Sequence, residues 1–128
     1  MLYRLDNSTT QYNQPTRKKE INMTDTNKAI VIIEATFNPN GMHTPEFKEY
    51  SRRSNANGEA HGGVVLSKYQ VTANLGNGET PHMILVIEYP SQEKARQTFT
   101  NEEYQSILPL REIAFKEVKI FQVNSQIA

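Results

Sequence analysis

The segment from Phe99 to Arg111, FTNEEYQSILPLR, constrains the fold of this 128-residue chain more than any other segment. It follows the apolar sequence IEYPS, whose last residue, Ser91, is a typical helix N-cap. The pattern predicts one helix from Ser91 through about Phe99 and a second from Asn101 through Leu108. Because proline cannot continue a helix interior, Pro109 is predicted to break the second helix and hold Arg111 at the break. Few small folds need a strand followed by helices punctuated in this way.

Four runs of the chain have the composition of β-strands. Residues 29–37 (AIVIIEATF) and 83–89 (MILVIEY) are apolar at both alternating sets of positions, which is typical of central strands covered on both faces. Residues 64–71 alternate more loosely. The charged run 116–123 (KEVKIFQV) suits a sheet edge, where lysine discourages pairing with another chain.

One longer helix is predicted between the first two strands. Thr44, Pro45 and Glu46 supply an N-cap, a proline at the first helical position and an acid in the first turn. The helix is expected to end near Ala60, because the following Gly62-Gly63 pair provides a left-handed cap.

The predicted order is β-α-β-β-α-β, the ferredoxin-like split unit, an α+β fold with a four-stranded antiparallel sheet. The helices of this unit cover one face of the sheet, whereas the two central strands are apolar on both. Exposing the second face costs roughly 25 cal/mol per Å² of apolar surface. We therefore predict a two-fold homodimer in which two copies stack these faces. The face presents Ile30, Ile32, Ile84 and Val86, or the complementary set.

The first part of the chain differs from the rest. Residues 1–28 are polar and predicted to be a disordered leader, which leaves residues 29–128 as one domain, with Met23 a candidate natural start. No signal peptide or membrane helix is recognisable and the chain has no cysteine, so we expect a cytoplasmic protein without a membrane partner. The leader is basic and the domain slightly acidic, so we expect no nucleic-acid partner.

Three spaced motifs, AHGG (60–63), IEYPS (87–91) and EEYQSILPLR (102–111), together resemble the domain-of-unknown-function family numbered 1330. The resemblance implies a dimeric α/β barrel, in which two ferredoxin-like units pair sheet to sheet. That architecture is similar to the antibiotic-biosynthesis monooxygenases, muconolactone isomerases and haem-degrading enzymes, but it implies no particular reaction. Members usually carry an arginine where Lys68 stands, so the resemblance implies an anion clamp that is weaker or different in geometry.

Three residues are candidates for acid–base chemistry. His61, at the end of the first helix, either complements the helix dipole or serves as a general base near neutral pH. Glu88, near the end of a central strand, either lines a cavity as an acid–base group or reaches solvent. Tyr104 shares a helical face with Ile107 and Leu108, and is either a core ring with a polar tip or a catalytic phenol.

Three further residues are candidates for substrate binding. Arg111 either binds a substrate carboxylate, or pairs with an acid such as Glu88 or Glu112 and satisfies carbonyls at the helix end. Tyr50, on the first helix, has the same two interpretations as Tyr104. Lys68 is a candidate because the family resemblance implies a cation that binds an anionic ligand at this position. The three histidines lack metal-ligand spacing and no phosphate-binding loop is recognisable, so we expect neither a metal nor a cofactor.

Two hypotheses of function follow. In the first, the protein is a cofactor-independent enzyme that acts on a small organic acid or aromatic compound in a pocket between sheet and helices. In the second, it is a non-catalytic dimeric binding or interaction module. An open pocket favours the first hypothesis, whereas a pocket filled by Tyr50, Tyr104 and Phe99 favours the second.

Overall fold

The computed structural model describes residues 28–124 of the chain. These residues form four strands, four helices and a short 3-10 turn at Gly41–His43. In chain order the elements are β1 (Ala29–Phe37), α1 (Pro45–Ala60), β2 (Val64–Gln70), β3 (Met83–Tyr89), α2 (Gln92–Thr100), α3 (Glu102–Ser106), α4 (Leu108–Ala114) and β4 (Phe115–Val123). The predicted leader, apart from residue 28, and its candidate start at Met23 lie outside the described residues.

The strands form one antiparallel sheet in the order β2-β3-β1-β4. Ile33 of β1 lies opposite Leu85 of β3 on one side and opposite Ile120 of β4 on the other. This arrangement confirms the predicted ferredoxin-like β-α-β-β-α-β unit and the α+β class. The strands with apolar residues on both faces, β1 and β3, occupy the centre of the sheet, as their composition predicts.

The predicted helix starts are confirmed by their capping hydrogen bonds. The backbone N–H groups of Phe47, Lys94 and Tyr104 donate to the side chains of Thr44 (3.0 Å), Ser91 (3.1 Å) and Asn101 (2.8 Å), respectively. Each bond satisfies a backbone donor that has no partner within its own helix. Gly62, just beyond the end of α1, has a φ of 81°, the left-handed conformation expected there.

The prediction that Pro109 breaks the second short helix is wrong. α3 ends at Ser106, and Pro109 instead lies in the first turn of a separate helix, α4. Its missing N–H costs no hydrogen bond there, because the first N–H groups of a helix have no intrahelical partner. Arg111 therefore lies inside α4 and not at a helix break.

The helices cover one face of the sheet, and this face carries the buried core. The core residues on β1 and β3 are Ala29, Val31, Ala35, Ile87 and Tyr89. Their neighbours along the strands point to the opposite face, where the register groups Ile30, Ile32, Ile84 and Val86 with Tyr69 of β2 and Phe121 of β4. Within residues 28–124, no helix is long and apolar enough to cross a membrane.

Candidate ligand-binding cavity

A cavity of about 660 Å³ lies between α1 and the helix-covered face of the sheet. Ile33, Leu85 and Ile87 line it from the central strands, so the sheet side is apolar. Tyr50 and Tyr104 line it from α1 and α3. The volume is within the range of small-molecule sites, which are mostly apolar with a few placed polar groups. Tyr50, Tyr104 and Phe99 line this cavity and do not fill it.

The hydroxyl groups of the two cavity-lining tyrosines are in contact. The Tyr50 and Tyr104 oxygens are 2.9 Å apart and share a hydrogen bond. Burial is the largest cause that raises the pKa of Tyr50 well above its ordinary value, with a further contribution from Tyr104 and an opposing one from Arg111. Tyr50 therefore stays a neutral phenol, which can donate a proton in a hydrogen bond but does not act as a base near neutral pH.

Arg111 contacts this pair from α4. Its Nη1 donates to the Tyr104 hydroxyl at 3.0 Å, and its guanidinium carbon lies 5.8 Å from the centre of the Tyr104 ring. Within the described residues Arg111 makes no ion pair with a carboxylate, including Glu88 and Glu112. Arg111 is absent from the residues that line the cavity, and its hydrogen bond to the cavity wall is the one to Tyr104.

Lys68 supplies the positive charge at the cavity. It lies on β2 opposite Leu85, on the cavity side of the sheet. Lys68 is exposed, and so is Glu59, the acid that lines the same cavity from α1. One cation and one anion thus lie where the cavity opens to solvent. The structure brings Lys68, Tyr50 and Tyr104 of the predicted site together around one cavity.

His61 lies elsewhere, as the C-cap residue of α1. Its Nδ1 is 2.8 Å from the carbonyl oxygen of Asn57, so the ring N–H closes the end of its own helix. His61 is absent from the residues that line the cavity. Its position matches the capping interpretation of the sequence, and the structure does not bring it to Tyr50 or Tyr104.

Glu88 lies on the opposite face of the sheet. Alternation along β3 places it with Ile84 and Val86, away from the cavity, and its carboxylate is 3.5 Å from the ammonium group of Lys28. Its side chain is 31% exposed. Glu88 is therefore separated from the tyrosine pair by the sheet.

Asn57, a buried polar residue on α1, was not among the residues predicted from the sequence. Its side chain donates to the Thr98 carbonyl oxygen and accepts from the Asn101 side chain, both at 2.8 Å. These two bonds join α1 to α2 and to the start of α3, and so place Tyr50 beside Tyr104. A polar residue in a helix interior was the available signal, but it does not reveal its partners.

No group of three or more His, Cys, Asp or Glu residues in the described part of the chain is arranged to hold a metal ion. The cavity offers hydrogen-bonding hydroxyls, an apolar wall, and one lysine and one glutamate at its opening. These groups are suited to a small flat molecule with an oxygen that accepts hydrogen bonds.

The family follows from a sequence match. Residues 37–124 match the model of the Domain of unknown function (DUF1330). The chain belongs to the DUF1330 family. No curated protein matches this DUF1330 chain in sequence.

Solved structures show what the DUF1330 chain is similar to in fold. A protein of unknown function from Rhodopseudomonas palustris has a TM-score of 0.65 and 16% identity, with 90% of this chain and 97% of that one covered. A DABB-family protein with a ferredoxin-like fold from Mesorhizobium loti has a TM-score of 0.55 and 10% identity, covering 78% and 98%. SnoaB, a cofactor-independent oxygenase from Streptomyces nogalater, has a TM-score of 0.51 and 9% identity, covering 79% and 97%.

Proposed function

We propose that this DUF1330 protein is a cofactor-independent enzyme that acts on a small organic acid or aromatic compound held in the cavity. The observation that carries the proposal is the hydrogen-bonded hydroxyl pair of Tyr50 and Tyr104 in the wall of a cavity whose sheet side is apolar. Neutral phenols held in position by their own hydrogen bonds stabilise negative charge that develops on a substrate oxygen, with little reorganisation during the reaction. The oxygenase activity named for SnoaB supports this assignment by analogy of fold.

Lys68 is proposed to select acids. An ammonium group at the mouth attracts a carboxylate, and the apolar sheet side of the cavity accommodates a ring or alkyl group. Glu59 on the same rim gives the site one charge of each sign, so an uncharged aromatic compound is admitted as well.

The second candidate is a non-catalytic binding module. The observation that favours it is that the cavity lining within residues 28–124 contains no histidine, the usual general base near neutral pH. Incubation of the protein in air with each compound that binds separates the two functions. Consumption of a compound by the wild type and not by Tyr50→Phe supports the enzyme, whereas binding without turnover supports the module.

A thermal-shift screen of small carboxylates and neutral aromatic compounds tests the binding step. A ligand at about 100 times its Kd raises the melting temperature by several degrees. We expect Lys68→Met to lose the response to benzoate but to keep the response to neutral aromatics. Lys48→Met, on an exposed α1 residue outside the cavity lining, is the matched control and should respond like the wild type. The proposal fails if no compound of either class stabilises the wild type.

We further propose that the functional unit is a homodimer formed through the uncovered sheet face. Phe121 and Tyr69 on that face are 45% and 55% exposed beside the half-buried isoleucines and valine of the central strands. One end of the face carries the Lys28–Glu88 pair. At the other end, Glu34 lies opposite Lys119. Both ends of the face carry acids and bases, with Glu117, opposite Thr36, as a further acid near Glu34. The lysines of one copy can therefore lie against acids of a two-fold-related copy.

A further inference from the structure

The hydrogen bonds around Tyr104 determine which hydroxyl proton is left without an acceptor. A guanidinium group only donates, so the Tyr104 oxygen accepts from Arg111. The bond between the two hydroxyls then uses one of their two protons. Neither tyrosine hydroxyl makes another hydrogen bond within residues 28–124. One phenolic proton therefore remains for a partner that is not part of this segment.

The guanidinium group of Arg111 determines which tyrosine carries the phenolic proton that has no acceptor. Arg111 draws electron density from the Tyr104 oxygen and makes the Tyr104 O–H the stronger donor of the pair. The favoured arrangement is a chain in which Arg111 donates to Tyr104 and Tyr104 donates to Tyr50. Tyr50 is half-buried and lines the cavity, so its own proton is the one available to a molecule bound there.

We propose that Arg111 is a positioning residue which, through Tyr104, makes Tyr50 a hydrogen-bond donor to a carbonyl or carboxylate oxygen of an aromatic ligand. This inference rests on the proposed function of the cavity and specifies its ligand class. Arg111 thus has an indirect role in place of the predicted direct binding of a substrate carboxylate, because it contacts Tyr104 and does not line the cavity. A ligand whose only polar atoms are hydrogen-bond donors gains no affinity from this series of hydrogen bonds.

Two nearly isosteric probes isolate the role of the oxygen. Acetophenone carries a carbonyl oxygen where α-methylstyrene carries a CH₂ group, and their shapes are otherwise alike. We expect the wild type to bind acetophenone about fivefold more tightly, the value of one net hydrogen bond. Ligand-observed NMR titration measures both dissociation constants. Tyr50→Phe should abolish the difference and leave the binding of α-methylstyrene unchanged.

The carbonyl stretching frequency of bound acetophenone reports the role of Arg111. Donation from Tyr50 lowers this frequency, and polarisation through Tyr104 lowers it further. We expect Arg111→Met and Tyr104→Phe each to reverse part of this lowering of the carbonyl frequency, and Tyr50→Phe to reverse all of it. Tyr104→Phe keeps the test usable if Arg111→Met does not fold. Arg96→Met, which removes an exposed arginine paired with Glu93 on α2, should leave the frequency at the wild-type value.

The outcomes separate this inference from the proposed function. If α-methylstyrene binds and acetophenone has no advantage, or if Arg111→Met and Tyr104→Phe leave the carbonyl frequency unchanged, the positioning role is refuted while the cavity remains a binding site. If the wild type binds neither probe but binds other compounds of the thermal-shift screen, the ligand class assigned here is refuted; if that screen is negative as well, the proposed function itself is contradicted.

Discussion

Tyr50 combines a packed ring with a hydrogen-bonded hydroxyl. Its ring packs edge-on against Phe115, with centroids 5.6 Å apart, while its hydroxyl bonds to Tyr104. A charged phenolate in this place would lose hydration without gaining a direct cationic partner, because Arg111 donates to the other oxygen. Burial therefore holds Tyr50 as a neutral phenol.

The raised pKa of Tyr50 predicts how stability depends on alkaline pH. The folded state holds this proton at pH values at which the unfolded chain, with a pKa near 10.0, releases it. The resulting stability is intact below about pH 10 and is lost as the pH rises further. Urea unfolding should show the wild type losing up to about 1.4 kcal/mol per pH unit more than Tyr50→Phe above that pH.

The control for this measurement is Tyr69→Phe, at a side chain that is 55% exposed on the other face of the sheet. Its pH dependence should follow the wild type. Parallel curves for the wild type and Tyr50→Phe up to about pH 11.5 would contradict the buried, neutral phenol.

At the scale of single residues, the sequence predicts which side chains face the core but not which of them meet. Helical spacing placed Tyr50 and Tyr104 inward. Their hydroxyl contact joins residues 54 apart in the chain, and no local pattern encodes it. The capping position of His61 was foreseeable from the sequence because capping is local to one helix end. The sheet face on which Glu88 lies was not foreseeable, because the face that a strand-end residue occupies depends on the register of the sheet.

At the scale of elements, capping signals were informative at helix starts and at the glycine after α1, whereas proline was not. Thr44, Ser91 and Asn101 each cap a helix within three residues along the chain, so the sequence alone suffices to place these starts. Pro109 misled because proline both ends helices and begins them. Tertiary contacts around α4 decide between these roles. Asn38, just after β1, donates through its side chain to the carbonyl oxygens of Glu112 and Ile113 at 3.1 Å.

The junction between α4 and β4 depends on a close backbone approach at Gly41. A Cβ atom there would lie 1.9 Å from the carbonyl oxygen of Ala114. We expect Gly41→Ala to lower the free energy of unfolding by about 1–3 kcal/mol, since backbone must move to admit one methyl group. Gly76→Ala is the control, because the nearest atom to its new Cβ is a side-chain oxygen at 3.7 Å. Equal stabilities of the two variants in urea unfolding would refute the close approach.

At the scale of the whole molecule, the two faces of the sheet have different surroundings. One face forms the cavity with α1, and the other is proposed to pair with a second copy. The split unit was predictable because it follows from element order and two-sided strands. The cavity was not, because an empty volume depends on how far α1 stands from β2, which no sequence pattern measures.

The homodimer predicts a mass in solution of twice the 14.6 kDa chain at micromolar concentration, measurable by sedimentation. Phe121→Glu places a charge on the proposed interface and should yield a folded monomer. Ile113→Glu introduces the same change on α4, at a similarly exposed residue (50% against 45%), and should stay dimeric. A wild-type monomer, or dissociation by both variants alike, is the result that would rule out this interface.

Site-resolved NMR of methyl groups shows whether small molecules bind in the cavity, because alternate residues of the same strands report on the two faces of the sheet. Ile33, Leu85 and Ile87 face the cavity, whereas Ile32 and Ile84 face away from it. On titration with benzoate, we expect saturable shifts of the three cavity methyl signals, with the other two unmoved. Shifts confined to Ile32 and Ile84, or no saturable shift at any of the five, would contradict binding in the cavity.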